Sequence, residues 1–99
     1  MARFHVYGLK QSQTLALDLQ SNLLERLNTR MMVPLLPMDD VSASITRLNP
    51  RFAINDRPYI MMTQLTGAIP LTEIGDLIID LSPHGDQITA ATDFLFQGF

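Results

Sequence analysis

The chain has 99 residues, of which 46% are hydrophobic and 17% charged, with no cysteine and a formal net charge of −3. This describes one small folded domain and excludes a disordered chain, disulfides, zinc–thiolate sites and thiol chemistry. The acidic balance gives no broad attraction for phosphate backbones, and no apolar run approaches the ~20 residues of a membrane span, so nucleic acid and membrane are disfavoured as direct partners.

Phe4-His5-Val6-Tyr7 is aromatic and β-branched and predicts a first strand. Gly8 to Thr14 reads as a turn. Leu15 to Gln20 alternates apolar with small or polar residues, which predicts a strand with Leu15, Leu17 and Leu19 inward and a hairpin over 4–20. Ser21-Asn22 break the alternation and leave Leu23-Leu24 in a loop. Met31-Met32-Val33 predicts a third strand, either at an edge or ended by Pro34, because proline cannot donate to a central ladder. Asp39 to Asn49 is polar with no clear period. Phe52–Ile54 and Tyr59–Met62 read as a second hairpin around Asn55-Asp56-Arg57-Pro58. Thr66–Pro70 is a short extended piece, and Asp76–Leu81 a helical turn or a last strand.

Ser82-Pro83 has the chemistry of a helix start, with Ser as N-cap and Pro in the first helical position. A helix is predicted from Pro83 to about Gln97. Ile88, Ala91, Leu95 and Phe99 form one apolar stripe, widened by Phe94 and Phe96, with Thr89, Asp93 and Gln97 on the opposite face. Gly98 ends the helix. The expected architecture is a single domain over 1–99, mainly β over 1–81, with one C-terminal α-helix over about 83–97. Three Phe in the last six residues are either the end of a core helix or a working surface.

Little in the chain predicts catalysis. His5 and His84 have no partner at useful spacing, and Asp39-Asp40 reads as a charged turn. No Gly-rich phosphate loop, Ser/His/Asp order or metal-ligand cluster is present, so no cofactor or metal is expected and the protein is expected to bind and not to be an enzyme. Met31-Met32 and Met61-Met62 read as core or dimer packing. Met1-Ala2-Arg3-Phe4-His5 has no secretion-signal character, which predicts a cytoplasmic protein. A core this small is marginal alone, so a homodimer is expected.

The segments Asp18–Leu24, Arg30–Leu35, Met61–Thr63 before Ile69-Pro70, and Asp80–Ser82 leading into the helix that ends in Phe94–Phe99 follow one another in an order that resembles the CcdB family of toxin–antitoxin toxins. The resemblance runs nearly end to end. It implies a homodimer with an SH3-like β-barrel and a long C-terminal helix. It further implies a toxin that binds the dimerisation region of the DNA gyrase A subunit and traps the topoisomerase on cleaved DNA. A CcdA-like antitoxin would neutralise it, and operator DNA would be reached only through that antitoxin, so that the toxin co-represses its own operon.

The gyrase-binding residues this implies are Phe4, Tyr7, Ser21, Leu23, Leu24, Asp93, Gln97, Gly98 and Phe99. Gly98 matches the family's typical Trp-Gly-Ile end and Phe99 is an apolar replacement for its Ile, whereas Gln97 stands where the Trp is expected. Asp93 replaces an Asn on the same helix face. A second reading is an endoribonuclease toxin of the same fold that cleaves messenger RNA, with Arg26, Arg30, Arg51 and Arg57 as candidate groove residues. A third is a weakened toxin acting mainly as the antitoxin's partner.

Overall fold

The computed structural model describes all residues, Met1–Phe99. Seven strands form one antiparallel sheet: β1 (His5–Leu9), β2 (Leu15–Asp18), β3 (Thr29–Pro37), β4 (Arg51–Ile54), β5 (Arg57–Met61), β6 (Gly67–Pro70) and β7 (Ile74–Asp80). Their order is β4-β5-β3-β2-β1-β7, with β6 also paired to β3. A single helix, α1 (Gly85–Gln97), follows a short 3-10 turn over Ser82–His84. The chain is mainly β, with the sheet curled around its larger core and one C-terminal helix packed against that core.

The alternation expected in β2 holds. Leu17 is fully buried, and Leu15 and Leu19 pack against the same core, which also takes Val6, Val33, Leu35, Phe52, Ile54, Met61 and, from the helix, Ile88 and Ala91. The opposite face of the sheet is also covered near its centre, where Tyr7, Ala16, Met32 and Ile74 form a second cluster. Successive residues of β1, β2 and β3 therefore serve two cores, as the period-2 geometry of a strand dictates.

Several boundaries differ from the sequence reading. Phe4 is not the first strand residue. It has φ +71°, left-handed backbone that a bulky residue rarely adopts, and β1 begins one residue later. Gly8 belongs to β1. β3 neither ends at Pro34 nor lies at an edge. It pairs with β2 along one side, and on the other with β6 over Thr29–Met32 and with β5 over Leu35–Pro37. Pro34 sits where β3 changes partner from β6 to β5, and its carbonyl accepts from Met62 N–H at 3.0 Å. The donor that proline lacks is therefore missed at a gap in the ladder.

The β4–β5 turn is only two residues, Asn55 and Asp56, both with positive φ (52° and 63°), the backbone of a type I′ hairpin. Arg57 and Pro58 already belong to β5. Asp76–Leu81 resolves as strand β7 running into the 3-10 turn. Ser82 makes no side-chain cap. Instead the Asp80 carboxylate accepts from Ser82 N–H at 2.8 Å.

On α1 the stripe holds for Ile88 and Ala91, both fully buried, and for half-buried Leu95. It fails for Phe99, because Gly98 (φ +81°) turns the chain off the helix axis. Phe96 points to solvent. No helix is long and apolar enough to cross a membrane.

Candidate functional site

β2 ends at Asp18; Leu19 N–H still donates to the Met31 carbonyl at 2.9 Å, and beyond Gln20 the chain leaves the sheet for a loop. Ser21 caps a 3-10 turn over Asn22–Leu24: its hydroxyl accepts from Leu23 N–H at 3.2 Å and its carbonyl from Leu24 N–H at 3.0 Å. The Asn22 side chain accepts from Arg3 N–H at 2.9 Å, which ties the N-terminal segment to the turn. The backbone is thus defined, yet Leu23 is 92% exposed and Leu24 50%. Neighbouring exposed apolar side chains are candidates for a contact surface, whereas singly scattered surface leucines are ordinary.

A second apolar surface lies at the end of α1. Gly98 closes the helix with its N–H donated to the Phe94 carbonyl at 2.9 Å. Phe96 and Phe99 are 77% and 75% exposed. Asp93 and Gln97 are also exposed, on the polar face as expected. Phe94 is half-buried beneath the Arg47 guanidinium.

Phe4 joins several parts of the fold. Its N–H donates to the Asp18 carbonyl at 2.7 Å, and its carbonyl accepts from Leu81 N–H at 2.8 Å. Its ring lies so close to Gly85 that a Cβ there would come within 2.9 Å of it. Arg3 places its guanidinium 4.5 Å from the ring centroid. Tyr7 is different from the expectation: it is buried in the second cluster, its hydroxyl accepting from Ala2 N–H at 3.3 Å, and it has little surface to offer a partner.

A groove of about 590 Å³ runs between α1 and the β3–β6 part of the sheet, lined among others by Phe4, Leu19, Met31, Thr92, Leu95 and Phe96. Phe4 is the one implied contact residue that lines it. Leu23-Leu24 and Gly98-Phe99 stand outside it as two exposed patches. Leu19, Met31 and Leu95 carry only strand, helix or packing signals in the sequence. The available signal was Met31 beside Met32, two large apolar neighbours on a strand that must face opposite ways.

The four arginines of the RNA-cleaving reading are not equivalent. Arg26, Arg51 and Arg57 are exposed, whereas Arg30 is 1% exposed and its guanidinium is bound to the Asp18 carboxylate, itself fully buried. Arg30 is removed from any surface by a charge partner that the sequence spacing does not reveal. No group of three His, Cys, Asp or Glu side chains is placed to hold a metal. Asp80 has its carboxyl held below the ordinary value, first by the Ser82 backbone N–H, then by the Ser82 hydroxyl, with a smaller pull from His5, which lies 3.6 Å away.

These features define a small antiparallel β protein with one C-terminal helix and two ordered apolar patches open to solvent. A sequence model of the family described as CcdB protein matches residues 3–98, and the chain belongs to the CcdB family. Among solved structures it is similar to one described as an endoribonuclease in complex with its cognate antitoxin from Mycobacterial species, at 15% identity and a TM-score of 0.79, over 97% of this chain and 94% of that one. At that identity the likeness is one of fold.

Proposed function

We propose that this chain is the toxin of a toxin–antitoxin pair and that it binds the DNA gyrase A subunit, poisoning the topoisomerase until a CcdA-like antitoxin removes it. The observation that carries the reading is the exposure of Leu23 and Phe99 at the two places where the family resemblance puts gyrase contacts. One is held out by a capped 3-10 turn, the other by a left-handed glycine. Ser21, Leu24, Asp93, Gln97 and Gly98 complete the two patches, and Phe4 links the sheet to the helix beside them. Tyr7, buried in the second cluster, is left out of the contact set.

The chain acts as a homodimer in this reading. Only 21 of 99 residues are buried, so a second copy covering part of the exposed apolar surface adds to a small core. Repression of its own operon runs through the antitoxin, since the toxin's net charge is −3. The test is relaxation and supercoiling of plasmid by purified gyrase with and without the protein. Accumulation of linear, cleaved DNA supports the proposal, and unaltered supercoiling at saturating protein refutes it.

A second reading, an RNA-cleaving toxin, is favoured by the fold likeness to a protein described as an endoribonuclease. Exposed Arg26, Arg51 and Arg57 are its candidate residues. Degradation of purified messenger RNA without gyrase would select it.

A further inference from the structure

Three polar side chains are buried where the loop carrying Leu23 and Leu24 leaves the sheet: Asp18 (0% exposed), Arg30 (1%) and Gln20 (8%). From Asn22 to Thr29 every residue is largely exposed and none is buried; even Leu24 and Leu27 keep about half of their surface in water, so apolar packing from within the loop is weak. Burying an ion pair is costly, and it gains little stability over apolar residues of the same shape, so its value is sought in the geometry it imposes.

Here every buried side-chain polar atom is satisfied. The Asp18 Oδ2 accepts from Arg30 Nε (3.0 Å) and Nη2, and its Oδ1 accepts from Gln20 N–H at 3.0 Å. Arg30 Nη2 also reaches the Gln20 carbonyl at 3.4 Å. The pair therefore fixes the Gln20 backbone from both of its polar groups.

The Gln20 side chain then points two ways. Its Oε1 accepts from Met31 N–H at 3.0 Å, and its Nε2 donates to the Leu24 carbonyl at 2.8 Å. Leu19 N–H donates to the Met31 carbonyl at 2.9 Å, so the regular β2–β3 ladder would give Met31 N–H a backbone partner at Leu19. The Gln20 amide takes that place. It closes the ladder with one end and seizes the 3-10 turn with the other.

We infer that Gln20 is a positioning residue of the contact surface: its amide, seated on the buried Asp18–Arg30 pair, clamps the Leu24 carbonyl to β3 and thereby holds Leu23 and Leu24 in their exposed arrangement. This rests on the proposal that those leucines meet the gyrase A subunit. A loop without the clamp samples other conformations, and the binding-competent fraction falls in proportion.

The experiment uses the full chain and the isolated gyrase A dimerisation region as probe. In Gln20→Leu, amide exchange at Leu24 speeds up about tenfold or more while the β2–β3 core amides keep their protection. Affinity falls about three- to tenfold, the range for losing one good hydrogen bond. Gln20→Glu keeps the acceptor for Met31 N–H and loses the donor to Leu24, so it loosens the turn without opening the ladder. In a Leu23→Ala/Leu24→Ala background the further Gln20→Leu change costs no affinity, because the clamp acts only through those side chains. Unchanged exchange at Leu24 in both Gln20 variants overturns the clamp, and so does an affinity loss that persists in full in the leucine-free background. If the leucine double variant itself binds as tightly as wild type, the contact-surface reading fails first and the positioning role with it.

Discussion

The Arg47 guanidinium carbon lies 4.6 Å from the ring centroid of Phe94, and this contact ties the loop before β4 to the last turns of α1. The same loop is pinned from below by Asn49, whose side chain accepts from Ile45 N–H and donates to the Met61 carbonyl and Gln64. The end of the helix is therefore braced by a loop that is itself anchored to β5, and Phe96 and Phe99 project from a supported stem.

Arg47→Ala is expected to cost about 0.5–1 kcal/mol, the value of a cation–π contact at an exposed site. For a chain of this size each kcal/mol lowers Tm by about 4–8 °C. Urea denaturation of the two proteins side by side checks it.

The Asp18–Arg30 pair gives a much larger effect. Arg30→Met leaves the Asp18 carboxylate buried without its cation and should cost about 3–5 kcal/mol. Replacing both, Asp18→Leu with Arg30→Met, should restore much of the loss to folding while still loosening the 21–28 loop. Denaturation midpoints for the two variants separate charge burial from loop positioning.

Asp80 sets an acid limb. Its folded carboxyl titrates below the ordinary 3.8, so between the two values the folded state carries fewer protons than the unfolded chain. The contribution is present above 3.8 and is lost as the pH falls through the lower folded value. Asp80→Asn keeps an acceptor for Ser82 N–H but removes the titration, so its midpoint should depend less on pH in that window. Thermal melts across the acid range read this directly.

Removing Gly98-Phe99 should leave stability within about 0.5 kcal/mol, as for surface changes in general, because Phe99 is 75% exposed and touches no core cluster. Gyrase binding should be lost. Gln97→Trp should tighten binding by about 1–3 kcal/mol, since a Trp anchor buries more apolar area than an amide that must find hydrogen bonds. Melting curves and calorimetric titration of the three proteins decide both.

Much of this architecture was legible because the pattern was local. The alternation of Leu15, Leu17 and Leu19 placed β2, and Gly98 placed the helix end. The misreadings came from relationships that a linear pattern does not contain. Pro34 looked like a strand terminator, but its missing donor falls where β3 exchanges β6 for β5. Arg30 looked like a surface cation, but its partner lies on the neighbouring strand and both are buried. Gln20 read as the polar end of a strand, and nothing in its spacing reveals that its amide substitutes for a ladder bond. The exposure of Leu23 was expected only through the family resemblance; the residues alone left it between loop and core.

Whether the ordered apolar patches bind the gyrase A subunit is decided by calorimetric titration of its isolated dimerisation region with the wild-type chain and with Leu23→Asp. Leu23 is 92% exposed, so the substitution should leave the fold intact, as a melting curve run alongside will verify. Saturable binding by wild type and at least about tenfold weaker binding by Leu23→Asp are expected, in line with a charge placed at an interface anchor. No binding by wild type, or equal binding by both proteins, would contradict the proposed role of the patches.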